Sequence, residues 1–313
     1  MNYGQIQNVK KPVSKIIFGT SNPAFNKGTD CGEILDELVQ MGVTTFDTAR
    51  VYGQAERVLG NWMSSRKNRD DLVIISKGGH PALFIPRLDE RAIRKDITIS
   101  CRELQTEYID VYLLHRDNPR KPVGEFVEIL NALHAEGKIG AFGGSNWTHQ
   151  RLEQANEYAY KKGLIPFTVS SPYFGLADMK GDPFGNGAVS IAGSEHAEAR
   201  AWYQKTNMAM LAYSVLGSGF FSGKVQKPSD MNGWVRRAFA SKENFERLAR
   251  CQELAKSKGY TATQIALAWM LKQDLNGYAI VTSSSISRMK QNVAALDIEL
   301  SKEELAYLDL SGK

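Results

Sequence analysis

Short runs rich in Ile, Val, Leu and Phe recur along the chain, each followed by a longer stretch with apolar residues at helical spacing. The short runs are Ile16–Gly19, Val43–Asp47, Leu72–Ser76, Ile109–Leu114, Ile139–Gly143, Phe167–Ser170, Met208–Tyr213 and Tyr278–Val281. Their length and β-branched content predict buried strands. Helices are predicted from Asp30 to Gly42, over the apolar face of Ala55, Val58, Leu59, Trp62 and Met63, and over 90–104, 123–136, 149–162, 197–205, 242–258 and 263–273. A last helix is signed by Ser301 with Glu304 three residues on, a reciprocal capping pair. Strands alternating with helices at a spacing of about 25–40 residues predict a closed (β/α)8 barrel over residues 1–313. An open doubly wound sheet would want Gly-x-Gly-x-x-Gly after its first strand, and GTSNPAFNKG lacks it. Two tracts, near 171–196 and 225–240, are too irregular for ordinary turns and are expected to be long loops.

The polar exceptions to this pattern fall at strand ends. Asp47, Lys77, His115 and Asn146 each follow an apolar run, so a barrel would gather them at its C-terminal mouth. Tyr52 lies just past Asp47, and Gly53 lets the chain turn into the next helix. A phenol is a slow proton donor with a pKa near 10. An ammonium within reach would lower that value, and a carboxylate would keep the ammonium charged. Tyr52 is therefore expected to be a general acid, Lys77 and Asp47 its tuning pair, and His115 the group that polarises a carbonyl oxygen. The histidines show no His-x-x-x-His or similar ligand spacing, so no metal site is expected. The serine runs lack a nucleophile elbow.

Composition adds bounds rather than direction. The 313 residues are 42% hydrophobic and 23% charged, with a net charge of +5 spread along the chain. No basic arm or zinc-finger spacing argues for nucleic acid, and no apolar run is long enough to cross a bilayer. Cys31, Cys101 and Cys251 are far apart and odd in number, which fits a reducing cytoplasm better than a disulfide scaffold. No signal peptide is evident.

FDTARVYG at 46–53, ISKGG at 75–79 and YLLHRDNP at 112–119 together resemble the aldo-keto reductases, and the likeness extends over nearly the whole chain. That resemblance implies a (β/α)8 barrel and reversible hydride transfer between a nicotinamide cofactor and a carbonyl compound or alcohol. It gives Asp47, Tyr52, Lys77 and His115 the roles already argued. It also implies that Ser145 and Asn146 bind the nicotinamide carboxamide, with Ser171 standing where the family usually has Gln. Tyr213 resembles the aromatic that stacks under the ring, and Leu216, Gly217 and Ser218 the loop over the pyrophosphate.

In TSSSISRMKQN, Arg288 matches a position that meets an adenosine 2′-phosphate and Asn292 one that bonds adenine, and Ser283 can donate to the same phosphate. A guanidinium fork suits a phosphate better than a hydroxyl, so NADPH is expected ahead of NADH. Thr282 stands where many NADPH-preferring members have Lys. Phe25, His80, Phe84, Trp147 and Phe174 are the expected substrate-pocket walls. Two other readings stay open: a cofactor-retaining redox-sensing or regulatory subunit, and a sugar-modifying enzyme that oxidises transiently without net cofactor use. The expected partner is a small carbonyl or alcohol substrate, with neither nucleic acid nor membrane, on a monomer, a homo-oligomer being left open.

Overall fold

Eight parallel strands close into a barrel in the computed structural model, which describes residues 1–82, 85–185 and 187–312. Ahead of the barrel, β1 (Tyr3–Gly4) and β2 (Val13–Ser14) pair antiparallel. The barrel strands are β3 (Ile16–Gly19), β4 (Thr45–Asp47), β5 (Val73–Gly78), β6 (Ile109–Leu114), β7 (Ile139–Ser145), β8 (Val169–Ser171), β9 (Ala209–Ala212) and β10 (Gly277–Val281). Each pairs with its neighbour in the chain, and β10 closes on β3 with Ala279, Ile280 and Val281 opposite Ile16, Ile17 and Phe18.

Alternation along each strand sorts the side chains into two layers. Ile17, Val73, Ile75, Val111, Leu113, Ala141, Val169 and Leu211 fill the barrel interior. Ile6, Val9 and Val13 of the N-terminal hairpin join them and plug the foot of the barrel. Phe18, Phe46, Ile74, Tyr112 and Phe142 belong to the outer core beneath the helices. The same period carries Val73 and Ile75 on to Lys77, and Val111 and Leu113 on to His115. A strand whose inward series ends in a polar residue delivers that residue to the mouth.

The surrounding helices include α1 (Pro23–Lys27), α2 (Gly32–Gln40), α3 (Ala55–Arg66), α4 (Glu90–Leu104), α5 (Val123–Ala135), α6 (His149–Lys162) and α7 (Ala197–Thr206). They continue as α8 (Gly233–Phe239), α9 (Lys242–Lys258), α10 (Ala262–Leu271), α11 (Ile286–Ala294) and α12 (Lys302–Leu308). The expected Ser301–Glu304 capping pair opens α12. Three helices were not legible from periodicity because they are short. In α1, Asn22 accepts from the Ala24 and Phe25 N–H groups and Pro23 sits at the first turn. α8 interrupts the 225–240 tract, capped by Asn232, so that tract is not uniformly irregular. α11 starts from Ser285 in the serine run.

Among its described residues the segment from 172 to 193 carries no regular helix or barrel strand, yet it is tied down. Tyr173 bridges to Ser190 and to Tyr213. Asp178 pairs with Arg247 of α9 at 3.0 Å, and its backbone exchanges two 2.8 Å bonds with the Asn244 side chain. Among the described residues no helix is long and apolar enough to cross a membrane, and the three cysteines are unpaired.

Candidate active site

A cavity of about 880 Å³ opens at the C-terminal mouth of the barrel. Its floor is the set of strand-end residues Asp47, Lys77, His115, Ser145, Asn146 and Ser171, with Tyr52 from the β4–α3 loop. Lys77 Nζ lies 2.5 Å from Asp47 Oδ1 and donates to the Thr48 carbonyl at 3.1 Å. The same ammonium stands 5.3 Å from the centre of the Tyr52 ring. The Tyr52 and His115 rings meet edge to face at 5.9 Å. Four residues from three strands and one loop are thus brought together.

The loop that carries Tyr52 is held from below. Glu56, buried at the start of α3, accepts from Ser76 Oγ at 2.7 Å and from Arg50 at 3.0 Å. Gly53 has φ of 60°, and a Cβ there would stand 2.5 Å from the Asn26 carbonyl oxygen, so only glycine fits the turn after Tyr52.

Burial and charge set the protonation states. Desolvation pulls the Lys77 pKa down, but the Asp47 carboxylate and the Tyr52 phenol more than offset it, and the value is raised. Burial pushes the Asp47 carboxyl up against the pull of Lys77. For Tyr52 the outcome differs from the expectation: burial outweighs Lys77 and Arg116, so the phenol is held above its ordinary value and stays protonated. Burial first, then Lys77, Arg116 and His80, hold the His115 pKa well below the usual range, leaving a neutral imidazole. Its Nδ1 is buried without a hydrogen-bond partner among the described residues.

Beside this floor Asn146 sits in the left-handed region at φ 59°. Its Nδ2 donates to Ser145 Oγ at 3.0 Å and to the His115 carbonyl at 3.4 Å, while its Oδ1 accepts from Tyr213 Oη at 2.7 Å and from the Val189 N–H at 3.2 Å. The Ser171 hydroxyl donates to the Leu211 carbonyl at 2.8 Å. Tyr213, Leu216, Ser218, Ser283, Arg288 and Asn292 line the same cavity, whereas Gly217 turns the chain from a buried position behind it.

The pocket walls differ from those expected. His80 does line the cavity, its ring 5.0 Å from that of His115. Phe25, Trp147 and Phe174 do not: each is at most 2% exposed in the outer core. Phe25 packs on Phe18 at 5.7 Å, Trp147 on Phe126 and Phe167 at 5.4 Å, and Phe174 on Trp269 at 5.6 Å. For Trp147 the reason is the turn at Asn146, which aims the amide inward and the next side chain outward. Phe84 lies outside the described residues. The apolar wall comes instead from Val51, Phe184 and Trp234, with Phe184 5.0 Å from Trp234 and 5.9 Å from Tyr213. Arg116 also lines the cavity. Its signal was a charge directly after His115. Phe184 sits in the irregular 172–193 segment and Trp234 on the short helix α8, and periodicity gives the path of neither.

Residues 15–312 match the Aldo/keto reductase family. The uncharacterized oxidoreductase YrpG of Bacillus subtilis is 24% identical, the match covering 99% of this chain and 95% of that protein. Norsolorinic acid reductase of Aspergillus flavus is 27% identical, covering 88% of this chain and 70% of that protein. Aldo-keto reductase str7 of Strobilurus tenacellus is 26% identical, covering 88% of this chain and 78% of that protein. The chain belongs to the aldo/keto reductase family and is an NAD(P)H-dependent oxidoreductase of the carbonyl-reducing type.

Proposed function

We propose that this aldo/keto reductase reduces an aldehyde or ketone to an alcohol with NADPH, Tyr52 giving the proton and His115 orienting the carbonyl. The observation that carries this reading is the meeting of Tyr52, Lys77, Asp47 and His115 on the floor of one cavity. A dinucleotide bound across the mouth would supply the hydride. The residues do the rest. Tyr52 is half-buried and protonated, the state a general acid needs before proton transfer. Lys77, kept charged by Asp47, favours the phenolate left after the proton has gone to the carbonyl oxygen. The neutral His115 imidazole offers a ring N–H to the same oxygen without adding a competing charge.

The cavity suits such a dinucleotide in its donor set. Asn292 is 4% exposed, and among the described residues its amide has only the Met289 sulfur at 3.6 Å as a side-chain partner, a weak acceptor that leaves room for a heteroaromatic ring edge. Arg288 is exposed on the same wall beside Ser283, so both can serve a 2′-phosphate. Ser218, which lines the cavity, has φ of 51° between Gly217 and Gly219, a tight turn that lets the backbone come close to a ligand at the cavity edge. Ser145 and Asn146 hold the carboxamide in this reading, while Tyr213 packs on the ring. The Ser171 hydroxyl, already committed to Leu211, contributes little.

Absorbance of NADPH during reduction of a panel of aldehydes tests the proposal. Tyr52→Phe should lower turnover by about 10²–10⁴-fold while cofactor binding persists; unchanged turnover rejects the acid role. Arg288→Glu should raise the apparent NADPH constant at least tenfold and the NADH constant far less; equal effects reject the phosphate assignment.

A further inference from the structure

Arg116 follows His115 at the end of β6 and is 7% exposed on the wall of the cavity. Its Nη1 donates to the His115 carbonyl at 2.8 Å, and its Nε is buried with no partner among the described residues. Among the described residues it makes no ion pair, although the other buried lysine and arginine each do: Lys77 has Asp47 on the same floor, and Arg247 of α9 has Asp178. Asp182 is the acidic side chain whose charge reaches it, yet Asp182 is exposed and accepts the Gly187 N–H at 2.8 Å. A guanidinium that has lost its hydration without gaining a carboxylate is costly to the fold. Its remaining N–H groups form a planar fork suited to two oxygens.

The cofactor is a poor candidate for that anion. In the ring order β10, β3, β4, β5, β6, the strand carrying Arg116 lies across the barrel from the one that leads to Ser283 and Arg288. Arg116 stands instead beside His80, His115 and the Phe184 wall, where a substrate would extend from its carbonyl.

We propose that Arg116 recognises a carboxylate on the substrate, so that the compounds reduced best are aldehydo or keto acids. This rests on the reductase reading for its chemistry, but the anion site can be tested without turnover. Burial lowers the Arg116 pKa, as expected for a cation lacking its counter-charge, and the group nonetheless remains protonated.

Calorimetric titration with 4-hydroxybenzoate and 4-hydroxybenzamide compares an anion with a neutral near-isostere. The benzoate should bind at least tenfold more tightly, the range of a charge-assisted pair. In Arg116→Gln that ratio should fall to near one, and in Arg116→Lys to an intermediate value, because the charge remains and the fork is lost. Unfolding temperature and NADPH binding of both variants establish that they fold. Equal binding of acid and amide by the unaltered protein overturns the proposal. So does a preference that survives in Arg116→Gln, and so does tighter binding of phenyl phosphate, which would assign the site to phosphate esters. In turnover, 4-formylbenzoate should exceed its methyl ester at least tenfold in kcat/KM; equal values also overturn it. Arg116-dependent benzoate binding with neither aldehyde reduced would support the anion site and count against the reductase reading alone.

Discussion

At the foot of the barrel Asp110 is 1% exposed and surrounded, with Lys11 at 2.9 Å, Arg69 at 2.8 Å and the Ile74 N–H at 2.9 Å. At the mouth Asp47 is nearly as buried, but it faces Lys77 alone, and around that pair Tyr52, His115 and Arg116 point polar atoms into a cavity. Both are carboxylates on barrel strands, with similar sequence surroundings of β-branched residues. The foot neutralises its carboxylate with two cations, one of them Lys11 of the hairpin, which is what a structural cluster needs. The mouth leaves His115 Nδ1 and Arg116 Nε without partners. Buried atoms without partners also occur away from the mouth, Asn8 Nδ2 among them; what marks a working site is that His115 and Arg116 line one cavity beside a charged pair.

The contrast can be broken from either side. Replacing the mouth pair together, as Asp47→Asn/Lys77→Met, should lower turnover by about 10²–10⁴-fold. Unfolding free energy should change by less than about 1 kcal/mol, because both charges leave at once; a large loss of stability with activity intact would show that this pair is structural. Asp110→Ala should act the other way, costing roughly 3 kcal/mol by leaving two cations and a backbone N–H unpaired. Denaturant titration measures that cost, and kcat/KM of the folded fraction should stay within about twofold. A subtler test uses acid. His115 has a depressed pKa in the fold, so the unfolded chain binds its proton first as pH falls below 6.5, and stability declines there. Between pH 7 and 5.5 this group should account for about 1 kcal/mol of lost stability. The loss should be absent in His115→Gln when the two pH profiles are subtracted. An identical profile would mean that His115 titrates freely in the fold.

The pairing of charges was only half legible in advance. Lys77 and Asp47 stood out because each ended an apolar run, whereas Asp110 stands near the start of one and its pairing with two cations was not read in advance. What separates them is which end of a strand they occupy and what loops cover that end. Tyr52 shows a second limit. Its lysine neighbour was correctly placed, yet burial outweighs that neighbour, a balance that depends on how completely the loop is packed. The pocket walls show a third: Trp147 followed Asn146 and looked like a rim residue, but one left-handed residue sent it into the core.

Periodicity by itself determined the barrel, since a two-residue alternation ending in a polar residue fixes both the layer and the end at which that residue emerges. It also determined the order of Asp47, Tyr52, Lys77 and His115 around the mouth, because parallel neighbours in the ring follow the chain. Only the tertiary structure decided the wall, with Phe184 and Trp234 taking the places expected of Phe25, Trp147 and Phe174. The physical reason is range. Strand positions are set by local pattern and a shared hydrogen-bond ladder, whereas the 172–193 segment is set by distant contacts such as Asp178 with Arg247 and Tyr173 with Tyr213, which no local pattern encodes.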